Sequence, residues 1–326
     1  VFLGRGPWGD LVAVKVVHAR LAQRRDHRER LAREVSAVRG IDSAYVAPVV
    51  DHDMDADEPW LATVYLPGLN LREAVETHGP APAPAVRALG AALARALRAV
   101  HQAGTLHRDL TPSNLMLTPD GPRIVDFGIA RPIGAAPDTM PGSLLGTPGY
   151  IPPERIRDRV SNRAGDVFAF GALLFCAATG EGPFSSGSTQ VLLYRTQFEQ
   201  PRLDALRDVR DRDPDLVETI AWCLAFDPER RPTTGELAER FSGASTTSRD
   251  RPPGEAVGMR ATRAGGPSPR RRGARITASG RRVISALGPS TAALAASRYF
   301  GARPPATDRE PRPGDRLAWT PDRLPR

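Results

Sequence analysis

Lysine is almost absent from this chain of 326 residues: of 45 basic residues one is lysine, Lys15, and the rest are arginine. A bias that stops at one position marks a place where a compact ammonium is needed and a guanidinium fork does not serve. Cysteine is nearly as scarce. Two residues, Cys176 and Cys223, cannot build a disulfide framework. Both lie in apolar, helix-like stretches, which predicts buried thiols in a reducing compartment, the cytoplasm. Long hydrophobic runs are missing as well. Spanning a bilayer takes about 20 apolar residues, and the best stretch, Val283 to Ala296, is short and broken by Gly288 and Pro289. No basic segment followed by an apolar one opens the sequence, so no signal peptide is visible. A first residue of Val1 suggests a fragment or an alternative start.

What is present is unevenly spread. The formal net charge is +8. Ala244 to Arg326 carries 17 Arg against 6 acidic residues, a net of +11, which leaves residues 1–243 at −3. Those last 83 residues hold 11 Pro and 9 Gly with no sustained period, a composition expected to stay disordered. Arg270, Arg271, Arg272, Arg275, Arg281 and Arg282 offer charge to nucleic acid or an anionic membrane surface. The only aromatics there, Tyr299, Phe300 and Trp319, make no stacking platform, so a solvated tail is the expectation. Ahead of it, residues 1–66 read as strands plus one helix. Leu11 to Val17 is a β-branched run suited to a buried strand, and Val46 to Val50 and Trp60 to Leu66 are two more. Asp26 to Arg39 places Leu31, Val35 and Val38 at helical spacing, with Gly40 as its stop. Residues 67–243 are mainly helical. Pro84 to Ala103 lines Val86, Leu89, Leu93, Leu97 and Val100 along one stripe, and Gly171 to Thr179 and Leu216 to Phe226 are apolar enough for buried helices.

The chemistry concentrates in His107-Arg108-Asp109-Leu110-Thr111-Pro112-Ser113-Asn114 and in Asp126-Phe127-Gly128. Short apolar runs, Leu115 to Leu117 and Ile124 to Val125, flank a turn at Asp120-Gly121-Pro122, a hairpin that brings Asn114 and Asp126 together. Here the chain resembles the protein kinases, specifically the bacterial eukaryotic-like serine/threonine kinases of actinobacterial type, over residues 1 to about 240. The resemblance implies an α+β, two-lobed fold: a β-rich N-lobe at 1–66, a larger helical C-lobe at 67–243, and the disordered tail at 244–326. It implies transfer of the γ-phosphate of ATP to serine or threonine hydroxyls of proteins, the chain itself included, through self-association. Asp109 would be the catalytic base. Asn114 and Asp126, hard oxygen donors, would hold Mg²⁺ or Mn²⁺. Lys15, in Val12-Ala13-Val14-Lys15, would neutralise the α- and β-phosphates and pair with Glu34. Thr63, the hinge Val64-Tyr65-Leu66 and Met116 would surround the adenine.

Gly146 to Glu154 resembles the end of an activation segment, with Pro153 where alanine is usual. Thr147 would bond near Asp109, Glu154 would form a buried salt bridge with Arg231, and Asp166 would hold the backbone of the catalytic loop. Arg108, a cation beside the base, favours a nearby anion such as a phosphorylated loop residue, with Thr139 the first candidate and Ser143 and Thr147 the others.

Two features depart from the family pattern. Thr111 stands where these kinases usually carry a lysine that contacts the γ-phosphate and the substrate hydroxyl. Gly4, Gly6 and Gly9 fit the G-x-G-x-x-G of a phosphate-covering loop, but only five residues separate Gly9 from Lys15, so one strand is missing. Pro7 also removes an N–H from that stretch. A pseudokinase or damaged kinase serving as a binding module is therefore the alternative. A small-molecule phosphotransferase is a further one, opposed by the activation segment and by Arg231.

Overall fold

The computed structural model describes residues 1–6, 10–17, 25–56, 58–128, 146–243 and 277–282. The elements of the first part are β1 (Phe2–Arg5), β2 (Leu11–Val16), α1 (Arg25–Arg39), β3 (Val49–Asp53) and β4 (Trp60–Val64). β5 (Leu69–Asn70), α2 (Leu71–His78), α3 (Ala83–Gln102), β6 (Leu115–Thr118) and β7 (Gly121–Ile124) follow. Then come α4 (Pro153–Asp158), α5 (Arg163–Thr179), α6 (Thr189–Phe198), α7 (Arg207–Arg210), α8 (Pro214–Cys223), α9 (Thr234–Gly243) and finally β8 (Thr277–Arg282).

The N-lobe is an antiparallel sheet in the order β3-β4-β2-β1-β8. β2 alternates over its first five residues: Val12 and Val14 are buried on one face, while Leu11 is exposed and Ala13 and Lys15 half-buried on the other; Val16, on the face of Val12 and Val14, is exposed at the strand end. The helical reading of Leu31, Val35 and Val38 is borne out, since all three are buried on α1 and join the main core. The strand expected from Val46 begins instead at Val49. Pro48 lacks the N–H that a central ladder needs, and so it splits the run. Val46 forms a lone parallel bridge with Ile124, and Ile124 N–H donates to Tyr45 O (2.9 Å). This bridge ties the N-lobe to the β6–β7 hairpin.

In the C-lobe, Val86, Leu89, Leu93, Leu97 and Val100 of α3 are all buried. α5 is apolar on every side, and Asp166 through Ala178 are all buried, as a helix at the centre of a lobe must be. Gly171 permits its close fit: a Cβ there would stand 2.6 Å from the Cβ of Cys223 on α8. The second helix of the pair stops at Cys223 rather than Phe226, with Leu224 N–H bonded to Ile220 O.

The expectation of a tail without structure from 244 onward needs one correction. Thr277–Arg282 forms β8, antiparallel to β1 with Phe2 opposite Arg282, Gly4 opposite Ala278 and Arg5 opposite Thr277. The physical reason is the edge of β1. A strand edge offers unpaired N–H and C=O groups, and this proline-free stretch can answer each of them. The N-lobe sheet thereby has the strand that the short stretch before Lys15 leaves out.

Candidate active site

The loop between α3 and β6 carries His107 to Asn114, and a buried carboxylate from α5 organises it. Asp166 Oδ2 accepts the backbone N–H of His107 (2.9 Å) and meets His101 Nε2 (2.9 Å). Its Oδ1 accepts the N–H of Arg108 (2.8 Å). Burial pushes the Asp166 carboxyl up, but the hydrogen bond and charge of His101, with His107 and the Arg108 N–H, outweigh it and hold it below the usual carboxylate range. Burial likewise pushes the His107 imidazole down, so the ring is neutral. Its Nε2 donates to Val125 O (3.1 Å), and Gly128 N–H donates back to His107 O (2.9 Å). The two motifs are thus laced together, with the Phe127 ring 4.8 Å from that of His107.

Asn114 closes the loop onto Asp109. Its Nδ2 donates to Asp109 O (2.8 Å) and Asp109 Oδ2 (3.1 Å). Val125 N–H donates to Asn114 O (2.9 Å), which sets Asp126 beside Asn114 as the predicted hairpin requires. Arg108 (φ 63°) and Asp126 (φ 57°) both adopt the left-handed conformation that costs a side-chain-bearing residue about 1–3 kcal/mol. Such conformations persist where the surroundings over-determine them, as the Asp166, His107 and Asn114 hydrogen bonds do here.

Lys15, on β2 opposite Leu61, places Nζ 3.5 Å from Asp126 Oδ1. The expected pairing of Lys15 with Glu34 is not what the structure holds. Glu34 Oε1 accepts from Arg108 Nη1 (2.8 Å) and from Arg30 Nε (3.2 Å). The catalytic-loop guanidinium reaches α1 and takes the carboxylate in a half-buried setting, where a charge-assisted bond is strong. The anion beside Arg108 is therefore Glu34. Glu34 Oε2 and Arg108 Nε are buried without a hydrogen-bond partner among the described residues.

Lys15, Thr63, Asp126 and Phe127 line one cleft, together with Val35, Val38 and Leu61. Val64, Tyr65, Leu66 and Met116 are not part of that lining. The backbone N–H groups of Val64 and Tyr65 donate to Pro48 O and Leu11 O, and Met116 sits on β6 opposite Asn70 and Arg123.

Gly4 and Gly6 sit near the end of β1 and just after it. Gly4 lies inside β1 opposite Val12, and Gly6 N–H donates to Asp10 O (2.8 Å), closing the hairpin into β2. Gly9 lies outside the described residues, as do Pro7, Thr139 and Ser143.

Asp109, Thr111 and Thr147 line a second recess, beneath the catalytic loop. Beside it Glu154 and Arg231 form a bidentate pair (2.8 and 2.9 Å). Arg231 also donates to Ala164 O, Ala225 O and Phe226 O, and lies over the Phe168 ring at 5.0 Å. Two residues escaped the sequence reading. His101 was recognisable only as the end of a buried helix. Arg155 follows directly on Glu154, and among so many arginines nothing marked it.

Comparison with known proteins agrees with this geometry. The family described as Protein kinase domain matches residues 3–241. The probable serine/threonine-protein kinase PkwA of Thermomonospora curvata is 41% identical over 253 residues, covering 78% of this chain and 33% of PkwA. The serine/threonine-protein kinase AfsK of Streptomyces coelicolor is 40% identical over 243 residues, covering 74% of this chain and 30% of AfsK. The chain spans about a third of the length of these relatives. The crystal structure of the Mycobacterium tuberculosis PknI kinase domain matches with a TM-score of 0.56 at 24% identity, over 74% of this chain and 88% of that one, a likeness of fold.

Proposed function

The chain belongs to the protein kinase domain family, and from that premise we propose that it transfers the γ-phosphate of ATP to serine or threonine hydroxyls of proteins, itself among them. The observation that carries this reading is the convergence of four side chains from three separate segments: the His107–Asn114 loop, the turn after β7 and β2. Asp109 is bonded to Asn114, Asn114 is tied through Val125 N–H to the Asp126 turn, and Asp126 is 3.5 Å from Lys15. Phosphoryl transfer asks the protein for positioning and charge neutralisation more than for covalent chemistry, and this set provides both.

Asp109 accepts the proton of the attacking hydroxyl. The hydroxyl oxygen bonds to the γ-phosphorus while the bond from that phosphorus to the β-phosphate oxygen breaks, and ADP leaves. Lys15 places its ammonium against the phosphates. With its nitrogen committed to Asp109, Asn114 has its carbonyl oxygen to offer a cation, and Asp126 adds a carboxylate. Both are hard oxygen donors that fit Mg²⁺ or Mn²⁺. A metal bound there would neutralise phosphate charge. Thr147 lies in the recess beside Asp109 and orients the hydroxyl substrate. The partners are proteins bearing serine or threonine, and autophosphorylation between two copies calls for transient self-association. Among the described residues no helix is long and apolar enough to cross a membrane; the cytoplasmic site of action rests on the two unbridged thiols.

The test is incorporation of labelled phosphate from Mg²⁺-ATP by the full chain, beside Asp109→Asn. The wild type should label itself or casein, and the variant should lose essentially all transfer with an unchanged melting temperature. Equal labelling by both would remove Asp109 from the role of base. A second reading, nucleotide binding without transfer, draws on the five residues between Gly9 and Lys15, too few for the strand that the family pattern has there. Under that reading Mg²⁺-ATP raises the melting temperature but no label is transferred.

A further inference from the structure

Thr147 lines two depressions: the recess it shares with Asp109, and a surface groove whose lining includes Pro112, Tyr150 and Leu192 of α6. One wall of that groove is α2. Among the described residues its Arg72 and Glu76 are the charged groups of the lining, and both are exposed. The groove therefore begins beside the base and is marked by charge along one helix.

The first turn of α2 is fixed. Glu73 N–H donates to Asn70 Oδ1 (3.0 Å) and Asn70 N–H donates to Glu73 Oε2 (3.1 Å), a reciprocal cap. Leu71, Ala74 and Val75 are buried beneath it. Arg72 pairs neither with Glu73, which the cap uses, nor with Glu76, about 6 Å farther along the helix axis. Its Nε donates instead to Ser113 Oγ (3.0 Å), on the catalytic loop one residue before Asn114. Its two Nη groups have no hydrogen-bond partner among the described residues. Burial raises the Tyr150 hydroxyl and the Cys176 thiol, and the positive charge of Arg72 opposes both shifts, so its field reaches across the groove.

We propose that Arg72 selects the protein substrate: it receives the carboxylate of an aspartate or glutamate close in sequence to the serine or threonine that accepts phosphate. A polypeptide that delivers its hydroxyl to Asp109 passes Thr147 and enters the groove, where Arg72 stands against the loop that carries the base. With Nε held by Ser113, the paired Nη groups keep the planar fork that a carboxylate fits. Because the side chain is already tied down, less freedom is lost when the substrate binds. A lysine or arginine at the same substrate position meets like charge, so selection works by repulsion as well as attraction. The inference rests on the kinase reading above and adds to it the class of substrate.

The experiment first locates the serine or threonine that the full-length wild type labels, in casein or in itself, with Mg²⁺-ATP. That segment is resynthesised as peptides with Asp, Ala or Arg at each flanking position in turn. At one position or more the wild type should show a kcat/KM at least about fivefold higher for Asp than for Ala, and lower still for Arg. Arg72→Glu should invert the order there and favour Arg over Asp, an outcome that a loss of folding cannot imitate. If Arg72→Glu transfers no phosphate, Arg72→Ala is read in its place. Equal rates for Asp and Ala then support the proposal, and an undiminished preference for Asp refutes it. Equal wild-type rates for Asp, Ala and Arg at every position, or an order that Arg72→Glu leaves unchanged, overturns the proposal while the kinase reading stands. A wild type that labels neither casein nor itself overturns both.

Discussion

Asp166 lies on α5, remote in sequence from the residues it serves, yet it decides how Asp109 is presented. Its two oxygens take two consecutive backbone N–H groups and face His101. Because its carboxyl is held below the usual range, it stabilises the fold fully above the ordinary carboxylate pKa of about 4. That contribution is lost as pH falls further, through the lowered folded-state value. Asp166→Asn should therefore lower the urea midpoint at pH 7 and flatten its fall below pH 4. A variant whose midpoint drops with acid as steeply as the wild type's would show that another carboxylate carries the acid sensitivity. At this scale the sequence was partly legible. The motif letters identified Asp109, Asn114, Asp126 and Asp166, because each has a spacing from its neighbours along the chain. His101 and Arg155 have no such spacing; they matter only because the fold brings them to the loop.

α4 shows how a short element is held by one contact. Six residues make too little helix to persist alone. Glu154 anchors it through a bidentate bond to a guanidinium that is fully buried and shared with three backbone carbonyls. Glu154→Gln would leave that guanidinium buried beside a neutral amide, a loss of about 3–5 kcal/mol, to be measured by urea denaturation. The expected consequence is a lower midpoint. A midpoint within error of the wild type would mean that the carbonyls alone satisfy Arg231. The elements themselves were readable wherever a period ran long, as in α1 and α3. Ends were not: Pro48 moved the start of β3 and Cys223 closed α8 early, since both depend on which backbone groups find partners.

Across the whole molecule, the sheet edge joins β1 to a strand far along the chain. β8 covers the outer edge of β1, so removing residues 244–326 should expose the β1 amides that face it. Hydrogen exchange of Phe2–Arg5 should then quicken by at least about tenfold, with α3 and α5 protected as before. Unchanged exchange in β1 would place β8 elsewhere in solution. The net charge of +8 divides into a basic tail and a mildly acidic kinase core, so the core's charge says little about its partners. By itself the sequence determined what local rules can carry: helical and strand periods, capping, motif spacing, and the position of its lone lysine. The tertiary structure alone decided which cation meets which acid. Arg108 took Glu34, Lys15 stood by Asp126, Arg155 met the carbonyl of Arg108, and a distant strand filled the open edge. Ion pairs and sheet edges are satisfied by whichever partner the fold brings within reach, and that distance is not a property of any stretch of sequence.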